Sequence, residues 1–172
     1  MRAFHIAFAG APAQLAEIET PRPEPGQIRL RIAACGLNFA DLLMEKGTYQ
    51  DTPEAPFTLG MEVAGTVDAL GEGVTGLEPG QRVAVFGGQG GLAEFGCFEA
   101  ARAVAIPETM SFTDAAAFQI AYGTSHLALS HRARLQPGEH LLVLGASGGV
   151  GLTAVEIGRI MGATVIACAR GA

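Results

Sequence analysis

The stretch Glu139-His140-Leu141-Leu142-Val143-Leu144-Gly145-Ala146-Ser147-Gly148-Gly149-Val150-Gly151-Leu152 decides the fold that this sequence predicts. The apolar run from Leu141 to Leu144 is typical of a buried parallel strand. The small residues from Gly145 to Gly149 predict a tight turn, and a helical pattern follows from about Gly149 to Met161. A strand, a glycine-rich turn and a helix in this order are the context that a dinucleotide-binding fingerprint requires.

The turn itself matches the pattern A-x-G-x-x-G, with Ala146 where a first glycine is usual. Glycines let the main chain approach a pyrophosphate closely, and a helix N-terminus offers free N–H groups and the positive end of the helix dipole. The alternative is a glycine-rich turn that binds no ligand, but the strand before it and the helix after it favour a nucleotide. We therefore expect a cofactor to contact six consecutive residues: Ala146, Ser147, Gly148, Gly149, Val150 and Gly151.

The next predicted strand, Ala163 to Ala169, indicates which nucleotide binds. An NAD site usually carries Asp or Glu at the end of this strand, about 20 residues past the glycines, to bind the ribose 2′-hydroxyl. This sequence has Ala169 followed by Arg170, so a guanidinium is available to pair with a 2′-phosphate. The pattern predicts a preference for NADPH. The alternative is that Arg170 is a solvated surface residue.

Only two strands of this nucleotide-binding fold precede Ala172, whereas the complete fold has about six. Two parallel strands cannot bury both of their faces without further layers. We expect either that the chain is a fragment or that something else supplies the remaining layers. Exposed apolar surface tends to associate, so we also expect the 172-residue chain to form homodimers or aggregates.

Composition excludes several classes of protein. With 49% hydrophobic and 16% charged residues, the chain can bury a sizeable core, and a net charge of −6 gives no support to nucleic-acid binding. Three well-separated cysteines without a CxxC pair argue against a disulfide framework or a zinc knuckle and fit a reducing compartment. There is no signal-peptide pattern and no apolar run of about 18 residues, so we expect a cytoplasmic protein without a membrane partner.

The chain before this nucleotide-binding stretch is expected to be mostly short strands separated by Gly and Pro turns, a spacing typical of an antiparallel barrel. Thr58 to Leu70 predicts one strand, and Phe39 to Lys46 predicts a short helix. Four glycines among the five residues from Gly87 to Gly91 predict a mobile loop. The capping box that begins at Ser111 predicts a helix from Thr113 to about Leu129, either continuous or broken near Gly123, and the domain boundary is expected near this helix, around residues 115–130.

Five stretches occur in the order and at the spacing of one known family, and together they are more specific than the glycine turn alone. They are Ala34-Cys35-Gly36-Leu37-Asn38-Phe39-Ala40-Asp41, Gly60-Met61-Glu62-Val63-Ala64-Gly65, Leu77-Glu78-Pro79-Gly80-Gln81-Arg82-Val83, Ala121-Tyr122-Gly123-Thr124-Ser125-His126 and Gly145-Ala146-Ser147-Gly148-Gly149-Val150-Gly151. The chain resembles the N-terminal half of a zinc-independent medium-chain dehydrogenase/reductase of the quinone oxidoreductase (zeta-crystallin-like) group. The resemblance implies a mixed β and α/β chain: a GroES-like antiparallel barrel over residues 1–120, and the truncated start of a Rossmann NADP-binding domain over residues 121–172.

Departures from the zinc-dependent branch of that family indicate the chemistry. The zinc alcohol dehydrogenases have a cysteine ligand where this chain has Asn38 and a histidine ligand where it has Met61, before a retained Glu62. Without a thiolate and an imidazole there, no ligand set for Zn²⁺ is left, and we expect no metal. Reduction of an electron-poor acceptor needs only a positioned hydride donor and hydrogen-bond donors for the developing oxyanion.

Three residues of the first domain are candidates for the catalytic site. The resemblance implies that Asn38 lies near the nicotinamide ribose and the substrate, although Asn is also a good helix N-cap. Asp41 lies one turn later, where a carboxylate is also favoured by the helix dipole. Tyr49 could donate a hydrogen bond to an oxyanion, since its ordinary pKa is near 10, or could simply pack.

Two further residues are implied to contact the cofactor. Tyr122 and Thr124 match the family segment beside the nicotinamide. The alternative is that each is simply a core residue of an apolar helix. We predict an NADPH-dependent oxidoreductase that transfers hydride to a small-molecule partner, a quinone or an α,β-unsaturated carbonyl, without zinc. The alternatives are an enoyl- or acryloyl-thioester reductase and a non-catalytic nucleotide-binding protein.

Overall fold

The computed structural model describes residues 1–171, which contain short strands, three α-helices and the loops and turns that connect them. In chain order the elements are β1 (Arg2–Ile6), β2 (Gln14–Glu17), β3 (Gln27–Gly36), α1 (Phe39–Glu45), β4 (Phe57–Thr58), β5 (Glu62–Leu70), β6 (Arg82–Phe86), β7 (Phe95–Glu99), β8 (Ala103–Ala105), α2 (Phe112–His126), β9 (His140–Leu144), α3 (Gly149–Ile160) and β10 (Thr164–Cys168). Contacts divide the chain into two units, Met1–Ala117 and Phe118–Ala172. That these units match the two predicted domains stays a prediction.

The first unit is built on a five-stranded antiparallel sheet in the order β7-β3-β5-β6-β8. Alternation along these strands sends the larger apolar side chains to one face, where they form the core. This core consists of Ile28, Leu30, Val63, Val67, Val83, Val85 and Phe98. On the other face Ala64 and Ala84 lie against Ala115 and Ala116 of α2, whose small side chains allow the helix to approach the sheet closely.

A second antiparallel sheet, in the order β2-β1-β4, completes the strands of the first unit. An antiparallel bridge between Ala3 and Ala93 joins it to the segment before β7. The prediction of many short antiparallel strands is therefore confirmed. The closure of these strands into one barrel stays a prediction.

The predicted strand from Thr58 to Leu70 is interrupted. Gly60 has a φ of 98°, a value that L side chains rarely adopt, and it separates β4 from β5. The interruption lets the chain change direction just before Glu62, the first residue of β5. The predicted helix after Asn38 is confirmed, and Gly47 follows its C-cap Lys46.

The prediction of a mobile loop at Gly87 to Gly91 is wrong. The N–H groups of Gly87 and Gly88 both donate to the carbonyl of Met61, at 2.9 and 3.0 Å, and Gly91 donates to Gly60 at 2.9 Å. Gly91 is buried, and a Cβ there would lie 2.5 Å from a methyl carbon of Val63. Because these glycines have no side chains, the loop packs closely against Gly60 and Met61, and the hydrogen bonds hold the loop in place.

In the second unit β9 and β10 form a parallel pair connected by α3, in the register Leu144↔Cys168. Gly158 lets α3 pack tightly on this pair, because a Cβ there would lie 2.4 Å from Leu141. The helix predicted from Thr113 continues unbroken to His126 and ends in a π-helical turn, Leu127–Arg132. Within residues 1–171 we find no helix that is both long and apolar enough to span a membrane.

Candidate functional site

Asn38 follows β3 by two residues and is the N-cap of α1, with the extended backbone (φ −125°, ψ 154°) usual at that position. Its carboxamide Nδ2 donates a hydrogen bond of 2.9 Å to Oε1 of Glu62. The N–H of Asp41 donates to the main-chain carbonyl of Asn38 at 3.0 Å, and the side-chain oxygen of Asn38 faces the same N–H in a capping box. The bond to Glu62 thus fixes the donor end of the amide, and the capping box with Asp41 fixes the start of α1.

Asp41 is buried, with 6% of its surface exposed, and both of its carboxylate oxygens accept from the main chain. One oxygen accepts from the N–H of Asn38 at 2.8 Å, and the other accepts from the N–H of Gly60 at 3.1 Å. These two bonds fasten the start of α1 to the turn that precedes β5. Asp41 therefore has a structural task at the first turn of the helix, and a catalytic role stays a prediction.

Glu62 is the residue of this site that the sequence analysis did not select. It is 2% exposed and pairs with Gly36 in the register of β5 and β3. A Cβ on Gly36 would lie 2.5 Å from Oε1 of Glu62 and 2.6 Å from the carbonyl oxygen of Ala116. Gly36 therefore leaves the space through which the carboxylate reaches Asn38. A signal was present in the sequence, because a carboxylate at the start of an apolar strand is rarely buried without a specific partner.

Cys35 lies next to these carboxylates. Burial, followed by the charges of Asp41 and Glu62, raises the pKa of its thiol from 9.0 to about 12. The thiol keeps its proton at neutral pH and donates weakly to the carbonyl of Gly36, with a distance of 3.4 Å. Its role here is packing, since a nucleophilic cysteine needs a lowered pKa.

Tyr49 lies in the loop after α1 and is half-buried. Its main chain is fixed, because its carbonyl accepts from the N–H and the hydroxyl of Thr52, at 3.1 and 2.6 Å. Its predicted contact with a substrate stays a prediction. Among residues 1–171 no three His, Cys, Asp or Glu side chains converge in a way that could hold a metal ion.

The predicted cofactor turn in the second unit joins β9 to the N-terminus of α3. Gly145 has a φ of 70°, Gly148 is the N-cap, and Gly149 begins the helix. The N–H groups of this first turn have no acceptor within the helix and are available to an anion. A Cβ on Gly151 would lie 2.2 Å from the carbonyl oxygen of Gly145, so the turn can close this tightly only with glycine there. These features fit a dinucleotide pyrophosphate.

The turn also lies beside the end of β10. The N–H of Ala146 donates to the carbonyl of Cys168 at 2.9 Å, and Arg170 follows two residues later with an exposed side chain. The glycine turn and the C-terminal end of β10, which leads to Arg170, therefore lie side by side, as a site for an adenosine phosphate requires.

Tyr122 and Thr124 lie on α2. The hydroxyl of Tyr122 donates to Glu156 of α3 at 2.6 Å, and its ring stacks on Phe118 at a centroid distance of 4.5 Å. The hydrogen bond to Glu156 raises the pKa of Tyr122, with smaller contributions from burial and the charge of Glu156. Thr124 is exposed. Contact of either residue with a cofactor stays a prediction.

A buried polar junction fixes α2 against α3. The hydroxyl of Ser125 donates to the carbonyl of Val150 at 2.8 Å and lies 2.7 Å from the hydroxyl of Thr153. Thr153 also donates to the carbonyl of Ala121 at 2.9 Å. These bonds hold the first turn of α3, including Val150, in one position.

Comparison with known proteins gives consistent matches over both units. The model of the alcohol dehydrogenase GroES-like domain family matches residues 24–108. A quinone oxidoreductase of Rattus norvegicus is 38% identical over an alignment of 173 positions, gaps included, that covers 98% of this chain and 53% of that protein. A synaptic vesicle membrane protein VAT-1 homolog of Homo sapiens is 45% identical over 139 residues, which cover 81% of this chain and 35% of that protein.

A solved structure is similar over nearly all of the chain. The quinone oxidoreductase of Thermus thermophilus, whose crystal structures include a complex with NADPH, matches with a TM-score of 0.87 and 39% identity. The match covers 99% of this chain and 54% of that one. The chain thus spans between 35% and 54% of the length of these three proteins.

Proposed function

Because the chain belongs to the medium-chain dehydrogenase/reductase superfamily, in its quinone oxidoreductase and VAT-1-like group, we propose that it carries the N-terminal part of an NADPH-dependent oxidoreductase. The reaction is the transfer of hydride to a quinone or an α,β-unsaturated carbonyl without zinc. The part from residue 118 onward is proposed to be the start of a Rossmann fold.

The residues proposed to hold the cofactor are those of the glycine turn. The main-chain N–H groups of Gly149, Val150 and Gly151 would bind the pyrophosphate, and the guanidinium of Arg170 would pair with the 2′-phosphate. When bound, NADPH supplies the hydride. The chain's own tasks are to orient the cofactor and to provide hydrogen bonds to the acceptor.

Asn38 is proposed to contact the acceptor. A carboxamide nitrogen has two N–H groups, and one of them is bound to Glu62. The second is a neutral donor that could bind the oxygen on which negative charge develops as hydride arrives at the ring or at the β-carbon. For a quinone, the hydride brings two electrons and one hydrogen, and one net proton from solvent completes the hydroquinone.

The observation that carries this proposal is the close turn at Gly151 beside the strand that leads to Arg170, in a chain similar to a protein crystallised with NADPH. The test is oxidation of NADPH, followed by its absorbance, with a panel of quinones and enones. Turnover with NADPH that is faster than with NADH is the expected result. Absence of turnover with every acceptor would reject the reaction for this chain.

A non-catalytic nucleotide-binding role is the second candidate, and one observation favours it. The features that fit a pyrophosphate, the glycine turn and the end of β10, all lie in the second unit, so nucleotide binding does not depend on the residues proposed to contact the acceptor. Saturable binding of NADPH without oxidation in the same panel would support this second candidate.

A further inference from the structure

The contact between Glu62 and Asn38 has a direction, because the two side chains are chemically unequal. An ionised carboxylate only accepts hydrogen bonds, whereas a carboxamide has one end that donates and one that accepts. Glu62 is at the start of β5, and its Oε1 receives the Nδ2 group of Asn38 at 2.9 Å. The opposite orientation of the amide would bring two acceptor oxygens together.

The surroundings leave the carboxylate little freedom. The carboxylate passes over Gly36, and a Cβ added to Gly36 would lie only 2.5 Å from Oε1 of Glu62. The carbonyl oxygen of Ala116 lies against the same glycine. Asp41 is already bound to two main-chain N–H groups, so it does not compete for the amide of Asn38.

We propose that Glu62 is a positioning residue that fixes the Asn38 carboxamide in one orientation, so that the second N–H of Nδ2 is offered as a donor to a carbonyl oxygen of the acceptor. This inference rests on the proposed function for the identity of the ligand. The orientation of the amide rests on the geometry of the first unit alone.

Three variants test the orientation: N38D, E62Q and the combined variant. Asp is as good an N-cap as Asn, so N38D keeps the cap of α1 while it places a second carboxylate against Glu62. In the combined variant the glutamine introduced at position 62 can donate to the aspartate introduced at position 38, which restores the hydrogen bond with its direction reversed. Cys35 and Asp41 are ionisable residues next to this pair, and both are unchanged in all three variants.

Thermal unfolding reads out the pair without any cofactor. N38D in the wild-type background is expected to lower the Tm by about 5–10 °C at pH 7, because it places a second carboxylate against the buried carboxylate of Glu62. In the E62Q background the same substitution is expected to change the Tm by less than about 2 °C. Equal shifts in the two backgrounds would mean that the two side chains are not coupled, which would overturn the proposal.

The side-chain amide of Asn38 gives a spectroscopic readout that a merely structural role of Glu62 would not change. In a ¹H–¹⁵N spectrum one N–H of Asn38 is expected at low field in the wild type and closer to the usual position in E62Q. Addition of duroquinone, which has no ring position open to cysteine thiols, is expected to move the resonance of the second N–H. An Asn38 signal that is the same in wild type and E62Q would reject the positioning role, and an unchanged signal with duroquinone would reject the donor role.

Turnover separates this inference from the proposed function. The combined variant keeps the pair but has no donor at position 38, so its rate of duroquinone reduction is expected to fall at least tenfold while its Tm stays close to that of E62Q. Full turnover of the combined variant would reject Asn38 as the donor. No turnover by the wild type, with the Tm coupling intact, would reject the proposed function and keep the oriented amide.

Discussion

Gly36 provides the space that the carboxylate of Glu62 occupies, since a Cβ at position 36 would lie 2.5 Å from Oε1 and 2.6 Å from the main-chain oxygen of Ala116. The main-chain oxygen cannot move as a flexible side chain would. We therefore expect G36A to destabilise the fold by about 1–3 kcal/mol, as other overpacked core positions do. Urea unfolding measures the effect.

Gly123 is the matched control for that substitution. It lies within α2, it has no heavy atom within 4 Å of an added Cβ, and it is exposed. G123A should stabilise the protein by up to about 1 kcal/mol, because Ala has a higher helix propensity than Gly. If G36A and G123A had the same effect on the urea midpoint, the close contact at Gly36 would not limit stability.

The glycine turn offers a second matched pair. A Cβ on Gly151 would lie 2.2 Å from the carbonyl oxygen of Gly145, whereas a Cβ on Gly149 meets nothing within 4 Å. We expect G151A to lower the Tm and to abolish NADPH binding together. G149A should leave the Tm within about 2 °C of the wild type and weaken NADPH binding about tenfold, because its methyl group would stand between the helix N-terminus and the pyrophosphate. NADPH affinity unchanged in G149A would place the cofactor elsewhere.

Arg170 should determine the choice between the two nicotinamide cofactors. Loss of one charge-assisted pair with a phosphate is expected to cost about 1.5–3 kcal/mol, so R170A should weaken NADPH binding by about 10- to 100-fold and leave NADH binding unchanged. Arg159, in the last turn of α3, is exposed and serves as the control. An equal loss in R159A and R170A would indicate only a general effect of net charge.

Cys35 should make the protein less stable at alkaline pH. Its thiol has a pKa raised from 9.0 to about 12 in the folded protein, chiefly by burial. Between these values the unfolded chain loses the proton and the folded chain keeps it, so the unfolded state binds fewer protons and the free energy of unfolding falls as pH rises. C35A should show a shallower fall from about pH 8 upward in urea titrations, whereas C168A, at an exposed cysteine, should follow the wild type. If the free energy of unfolding fell equally steeply with pH in the wild type and in C35A, the raised pKa of the buried Cys35 thiol would be contradicted.

Local patterns were enough to predict the elements of the second unit. The apolar run before Gly145 and the helical period after Gly149 give β9 and α3 within one or two residues, because strand, turn and helix are consecutive in the chain. The same is true of α1, whose N-cap and first-turn carboxylate are three residues apart.

Contacts between distant segments were not predictable in this way. Glu62 and Asn38 are 24 residues apart and meet only because β5 pairs with β3 in a register that places Glu62 opposite Gly36. The glycines from Gly87 to Gly91 suggested mobility, but their lack of side chains serves packing against Met61 and Val63. Composition gives the number of glycines in a segment, and only the tertiary structure shows what approaches them.

A fluorescence titration of this chain with NADPH, with NADH in parallel, tests the central claim most directly. The glycine turn at the N-terminus of α3 and the guanidinium of Arg170 predict saturable binding that is at least tenfold tighter for NADPH. Binding of neither cofactor, or equal binding of both, would contradict the proposed site.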